Sequence, residues 1–330
     1  MATVQHHLNA RGGLRRTAVV VAATALVVTA IACNTSQSAT TYPPIGIRVV
    51  SQTLGSVRAR PTYGWPLKPF DQPHSVRAYL NDPRILGSAK SFHFGIDISV
   101  PKGRQIPVYA VEAGTARLVD GEALMVWGRR TFGYWHIVPA VRPGEFVRRH
   151  QLIGRSLGWN HIHFAEFSHG IWINPLRPGG LGPYVDATVP TVTAVAFERN
   201  GIALDREHVT GNCKLVLEAF DTAASVTPAP WPVTPAFIRW RVSHNGRPLT
   251  PWKQILDSRR NLPKTGFGSI YAAGTAQNHP GIPGLYRFLL AGRWSTKTLP
   301  NGRYAIEVQA KDIRGNSVTA RVAFAVENGL

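Results

Sequence analysis

The chain has 330 residues and only two cysteines, Cys33 and Cys213. Two are too few for a disulfide framework, so a hydrophobic core must hold the fold, and a hydrophobic content of 44% is enough to build one. A Cys33–Cys213 pair is compatible with an oxidising compartment but is not dictated by the sequence. Acidic residues are also scarce: 18 Asp and Glu stand against 37 Lys and Arg, a formal charge of +19. Such a chain is drawn to anionic polymers or headgroups, although a merely solvated basic surface has the same composition. No recognition helix or zinc-finger spacing is present, so nucleic acid is not an expected partner. Helical periodicity is rare and no internal repeat is found, which leaves a mainly β chain.

The N-terminus has the layout of an export signal. Arg11, Arg15 and Arg16 precede an apolar, small-residue run from Thr17 to Ala32. The run closes on Ala30-Ile31-Ala32, an A-x-A cleavage pattern, followed by Cys33. A retained membrane anchor is the alternative, and Arg15-Arg16 also fits a twin-arginine signal. Lipidation at Cys33 is the lesser expectation, because Ala30 stands where such signals carry Leu. The expected location is therefore outside the cytoplasmic membrane: periplasm, cell envelope or extracellular space.

Four regions are expected: an export signal over 1–32, a linker rich in Ser, Thr and Gln over 33–60, a compact antiparallel β domain over 61–186, and a β-sandwich over 191–330. The Pro- and Gly-rich stretch 175–190 separates the last two. In the first of these two domains, 108–111 and 114–119 read as short strands. In the second, Val318, Ala320, Val322, Phe324 and Val326 alternate with smaller or polar residues, as do Ile306 and Val308. Segments 214–220 and 237–242 are further strands. Pro300-Asn301-Gly302 and Arg314-Gly315-Asn316 are turns. Segment 251–283 is turn-rich.

The chemistry concentrates in three short segments: His93-Phe94-Gly95-Ile96-Asp97, Tyr134-Trp135-His136-Ile137 and His161-Ile162-His163-Phe164. Phe92, Phe94, Ile96 and Ile98 alternate with His93, Gly95, Asp97 and Ser99, so His93 and Asp97 share a face in extended chain. Four residues of strand span about 13 Å, beyond easy reach of one ion. The backbone must bend, and Gly95 permits it. His161 and His163 share one strand face, so one imidazole can bind metal while its neighbour stands just outside. Imidazole and carboxylate are both good zinc ligands. Each segment alone is a weak signal; three on apolar strand frames in one domain are much stronger. His6, His7, His74, His150, His169, His208, His244 and His279 lack such frames and are given no role.

With Pro101-Lys102-Gly103, Pro107–Val111, Gly114-Thr115 and Gly154-Arg155-Ser156 between and around these motifs, residues 63–167 resemble the lysostaphin/LytM-type zinc endopeptidases of bacterial cell walls, proteins with duplicated hybrid motifs. The resemblance implies a compact antiparallel β fold with a groove across the site. It implies one Zn2+ per chain held by His93, Asp97 and His163, and a non-ligating catalytic pair, His136 and His161. His161 is favoured as the base because it neighbours His163. The implied substrate is peptidoglycan peptide, with anionic wall polymers as a candidate partner and an N-terminal membrane tether as a candidate anchor. The last 40 or so residues weakly resemble bacterial immunoglobulin-like modules, either a wall-binding element or a spacer. The chain departs from the endopeptidase pattern in a short 116–135 stretch and a compressed 156–160 stretch, where Trp159 and Asn160 replace small residues or Pro. Trp135 and Trp159 are candidate groove residues, but aromatics in β domains are more often core. The rival to an endopeptidase is a non-catalytic envelope protein that uses the same fold to bind the wall or regulate another hydrolase.

Overall fold

The computed structural model describes residues 46–55, 59–224, 231–279 and 281–329. The expected export signal and Cys33, which is both the lipidation candidate and one half of a Cys33–Cys213 pair, lie outside the described residues. Cys213 is described and buried. No described helix is long and apolar enough to cross a membrane.

The described chain is mainly β, in several antiparallel sheets. An eight-stranded sheet runs in the order Phe146–Val147, Gly114–Asp120, Ala123–Trp127, Thr131–Trp135, His161–Ser168, Ile96–Ser99 and Val76–Ala78, with Ile171–Ile173 added beside His161–Ser168. A three-stranded sheet of Ile137–Pro139, Leu152–Ser156 and Pro107–Tyr109 is interleaved with it along the chain. Their inward faces share one core containing Trp65, Ile96, Ile98, Val108, Phe132, Tyr134, Ile153 and Phe164.

The remaining strands form a six-stranded sheet around Phe237–His244, Gly302–Lys311 and Ser317–Val326, and a five-stranded sheet around Thr191–Arg199 and Asn212–Thr222. Both contribute to a second core, including Phe197, Leu215, Leu217, Ile306, Val308, Val322 and Phe324. The alternation over 318–326 reads out directly: Val318, Ala320, Val322, Phe324 and Val326 are buried. Arg314-Gly315-Asn316 forms the tip of the hairpin pairing Lys311 with Ser317. Asp312 ties that tip by accepting from the Arg314 and Asn316 amides at 2.8 Å each.

Two features differ from a linker followed by separable halves. Within the stretch read as linker, Arg48–Thr53 is a strand paired with Ser317–Val326. All six of its residues are exposed, so backbone pairing and not a buried face holds it, and hydrophobic pattern could not reveal it. In addition, Ala223, Val233, Ala236 and Ile313 join the first core, and Phe92 joins the second. Contacts gather the described residues into a single compact unit. Helix is confined, among the described residues, to Phe267–Ile270 and the 3-10 turn Lys264–Gly266, inside the turn-rich segment.

Candidate metal centre

The bend required between His93 and Asp97 is present. Ala89–Phe92 and Ile96–Ser99 belong to different sheets, and the chain turns through His93, Phe94 and Gly95 between them. Gly95 is pressed against the facing strand: a Cβ there would meet the Phe164 carbonyl oxygen at 2.4 Å and Nε2 of His163 at 2.8 Å. Across the sheet His163 is directly opposite Asp97 on one side and Trp135 on the other.

Three buried side chains converge. His93 Nε2 lies 3.0 Å from Asp97 Oδ1. His163 Nδ1 lies 3.2 Å from the same oxygen and 2.6 Å from His93 Nε2. Asp97 Oδ2 accepts from an Arg84 Nη at 2.8 Å. The buried Nε2 of His163 has no hydrogen-bond partner, and its ring packs between Phe94 and Trp135.

These residues fit a metal ion. His93 Nδ1 lies 2.9 Å from the Tyr79 carbonyl. A carbonyl only accepts, so Nδ1 carries the hydrogen and Nε2 turns a lone pair toward the cluster. One proton on His163 Nδ1 serves one of the cluster's contacts at a time; a divalent cation engages all three ligand atoms together. Two imidazoles and a carboxylate suit zinc better than the oxygen-seeking cations. Burial would raise the Asp97 carboxyl, but His93 and Arg84 hold it well below its usual range. Burial lowers His163 to about 4, so its ring is neutral at pH 7, as a ligand must be.

His136 and His161 stand beside this cluster. His161 Nε2 is 3.8 Å from Asp97 Oδ2, and the His136 and His161 ring centroids are 4.9 Å apart. His161 Nδ1 lies 3.0 Å from the Asn160 side-chain oxygen. That acceptor places the hydrogen on Nδ1 and leaves Nε2 free to take a proton. His136 occupies the junction between Thr131–Trp135 and Ile137–Pro139, strands of two different sheets. It has φ 62°, an unusual backbone state for a residue with a Cβ. Its carbonyl accepts from the Leu157 amide at 2.9 Å, which holds the junction. Burial lowers both His136 and His161 to about 4.

Trp159 corrects the expectation that aromatics here are core. It is 48% exposed, and its ring lies on His136 with centroids 4.4 Å apart. The compressed 156–160 stretch carries it outward, and Gly158 there has φ 83°. Trp135 is half-buried against Phe94, His163 and Trp172. Arg84 and the Tyr79 carbonyl went unread in the sequence, and Asn160 was read only as a departure from the family pattern, not as a partner of His161. Asn160 had a signal, its place next to His161. Arg84 had none, because it arrives on the hairpin Pro83–Phe92 from outside the motifs.

No protein-family profile and no curated protein matches the chain. Among solved structures it is similar to a chain of the SpoIIIAH–SpoIIQ complex, with 21% identity and a TM-score of 0.29 over 34% of this chain and 97% of the other. It is also similar to a putative M23 peptidase of Pseudomonas aeruginosa, with 18% identity and a TM-score of 0.22 over 35% of this chain and 48% of that one. A third likeness is to pseudoalterin, a deep-sea M23 metalloprotease, with 15% identity and a TM-score of 0.23 over 46% of this chain and 94% of that one. Scores this low leave the family unassigned.

Proposed function

We propose that the chain is an exported zinc-dependent endopeptidase that hydrolyses peptide bonds in bacterial peptidoglycan. The observation that carries the reading is the buried convergence of His93 Nε2, Asp97 Oδ1 and His163 Nδ1, with two neutral imidazoles beside it. In this reading those three atoms hold one Zn2+. When bound, zinc supplies Lewis acidity to a scissile carbonyl and lowers the pKa of a water. His161, oriented by Asn160, takes a proton at Nε2. His136, pinned at the sheet junction, donates toward developing negative charge on the carbonyl oxygen or the leaving amine. Trp159 offers a flat apolar wall for the substrate peptide. The net charge of +19 suits anionic wall polymers. The export signal expected from residues 1–32 favours an address where peptidoglycan is accessible. The sheets built from residues 191–330 are read as an immunoglobulin-like accessory part.

The test uses the full chain on purified sacculi, with and without chelator and with zinc restored. Soluble muropeptides should appear, stop with chelation, return with zinc, and be absent for His163→Ala, which should also lose bound zinc. Digestion indifferent to chelator, or unchanged zinc and activity in His163→Ala, removes the proposal. A non-catalytic wall-binding role is the second reading, favoured by Arg84, which engages Asp97 and partly neutralises the cluster without a metal. It predicts sacculus binding with no zinc-dependent release.

A further inference from the structure

A second cluster of buried acids lies apart from the zinc-type triad. Asp186 follows the first core, Asp221 lies near the end of the strand Asn212–Thr222, and Asp312 directly follows Gly302–Lys311. One carboxylate oxygen from each lies within 4.8 Å of the other two. Asp221 and Asp312 are buried and Asp186 is half-buried.

Three negative charges gathered away from water are costly unless matched. Three donors reach each of two carboxylates. Asp186 accepts from the Thr188 amide and hydroxyl and from the Tyr184 hydroxyl. Asp312 accepts from the Arg314 and Asn316 amides and the Asn316 side chain. Asp221 differs: Oδ1 takes only the Thr222 amide, and Oδ2 is buried with no partner. Asp221 is 0% exposed, and the charges acting on it most strongly are Asp186 and Asp312. The nearby Arg314 offsets part of the charge on Asp186 and Asp312 through space but makes no direct ion pair with either. Its guanidinium lies over the Tyr184 ring, 5.0 Å from the centroid, and its Nε is itself unpartnered.

We propose that Asp186, Asp221 and Asp312 form a calcium site, distinct from the His93–Asp97–His163 centre. The donors are all carboxylate oxygens, with no imidazole or thiol, which selects a hard cation over zinc. Ca2+ takes six to eight oxygens, so about three to five positions remain for water or backbone oxygens. A cleft of about 490 Å³ bordered by Tyr184, Asp186, Arg314 and Asn316 reaches the half-buried Asp186 edge of the cluster, while Asp221 and Asp312 lie behind it and do not line it. The ligands join the segment leaving the first core to two strands of the second, so the ion acts as a clasp between the two cores.

Terbium(III) binding to the zinc-loaded full chain is the test, because zinc already fills the other centre. Tyr184, whose hydroxyl is 3.1 Å from Asp186 Oδ2, is the sensitiser. Tyrosine-excited terbium emission should appear, be displaced by Ca2+ but not by equal Mg2+, and weaken at least about tenfold in Asp221→Asn and Asp186→Asn. Ca2+ should also raise the wild-type melting temperature by a few degrees. This last measurement, with Asp186→Asn at the half-buried position, carries the test if Asp221→Asn does not fold. Absent emission, failure of Ca2+ to displace it, no melting shift at millimolar Ca2+, or undiminished emission in both variants overturns the site.

Discussion

Adding one methyl group at Gly95 tests the metal centre without removing a ligand. The new Cβ would meet the Phe164 carbonyl oxygen at 2.4 Å, Nε2 of His163 at 2.8 Å and Ala165 Cβ at 2.9 Å. The first contact is with backbone in an interior strand paired on both sides, which cannot swing aside. The second is with the ring whose far nitrogen points into the cluster. Relief requires either that the His93–Asp97 bend withdraw or that the His163 ring tilt. Each displaces a ligand atom from a set now 2.6–3.2 Å apart. Overpacking of this kind costs about 1–3 kcal/mol of stability, and misplaced ligands lower metal affinity by about 10–100-fold. Gly95→Ala should therefore fold, melt a few degrees lower, and lose zinc to a competing chelator at a concentration at least about tenfold lower than the wild type. A variant with wild-type zinc affinity and wild-type melting temperature would refute the packing argument.

Trp159→Ala, which removes an exposed ring lying on His136, should leave melting nearly unchanged while raising KM for muropeptides about 3–10-fold, by analogy with the worth of an aromatic contact; an unchanged KM would return Trp159 to the role of surface residue. Arg177→Met should destabilise the fold by about 3 kcal/mol in denaturant titration, because it strips the two Arg177 contacts at 2.5 and 2.8 Å from the buried Glu166, leaving only the Tyr63 hydroxyl. For pH, burial and then Asp186 raise the Asp312 carboxyl to about 7. The folded state of the ion-free protein thus holds this proton more tightly than the unfolded state. Its stabilising share is complete below about pH 4 and is lost as pH rises through about 7. The stability difference between wild type and Asp312→Asn, followed from pH 4 to 8, should fall with rising pH; a flat difference would contradict the assignment.

The site motifs were legible in the sequence because each is local. Alternation around His93–Asp97 and His161–His163 fixes which side chains share a face, and the span of four strand residues already demanded a bend at Gly95. The strands Phe237–His244 and Ser317–Val326 were legible for the same reason, since one buried face imposes period two. The exposed strand Arg48–Thr53 was not, because it buries no face. Trp159 was read with the core, since composition and pattern do not record that a tight turn with a positive-φ glycine lifts a ring outward.

By itself the sequence determined the β character of the chain, the residue types of the candidate metal set and the bend between two of them. Those are properties of neighbours along the chain, set by side-chain period and backbone reach. Only the tertiary structure decided that His163 Nδ1 meets Asp97 from 66 residues away, that Arg84 takes that carboxylate's outer oxygen, that His136 sits strained between two sheets, and that three distant aspartates share one buried space. Each of these depends on strand pairing and sheet packing, which bring together groups whose separation along the chain leaves no local trace.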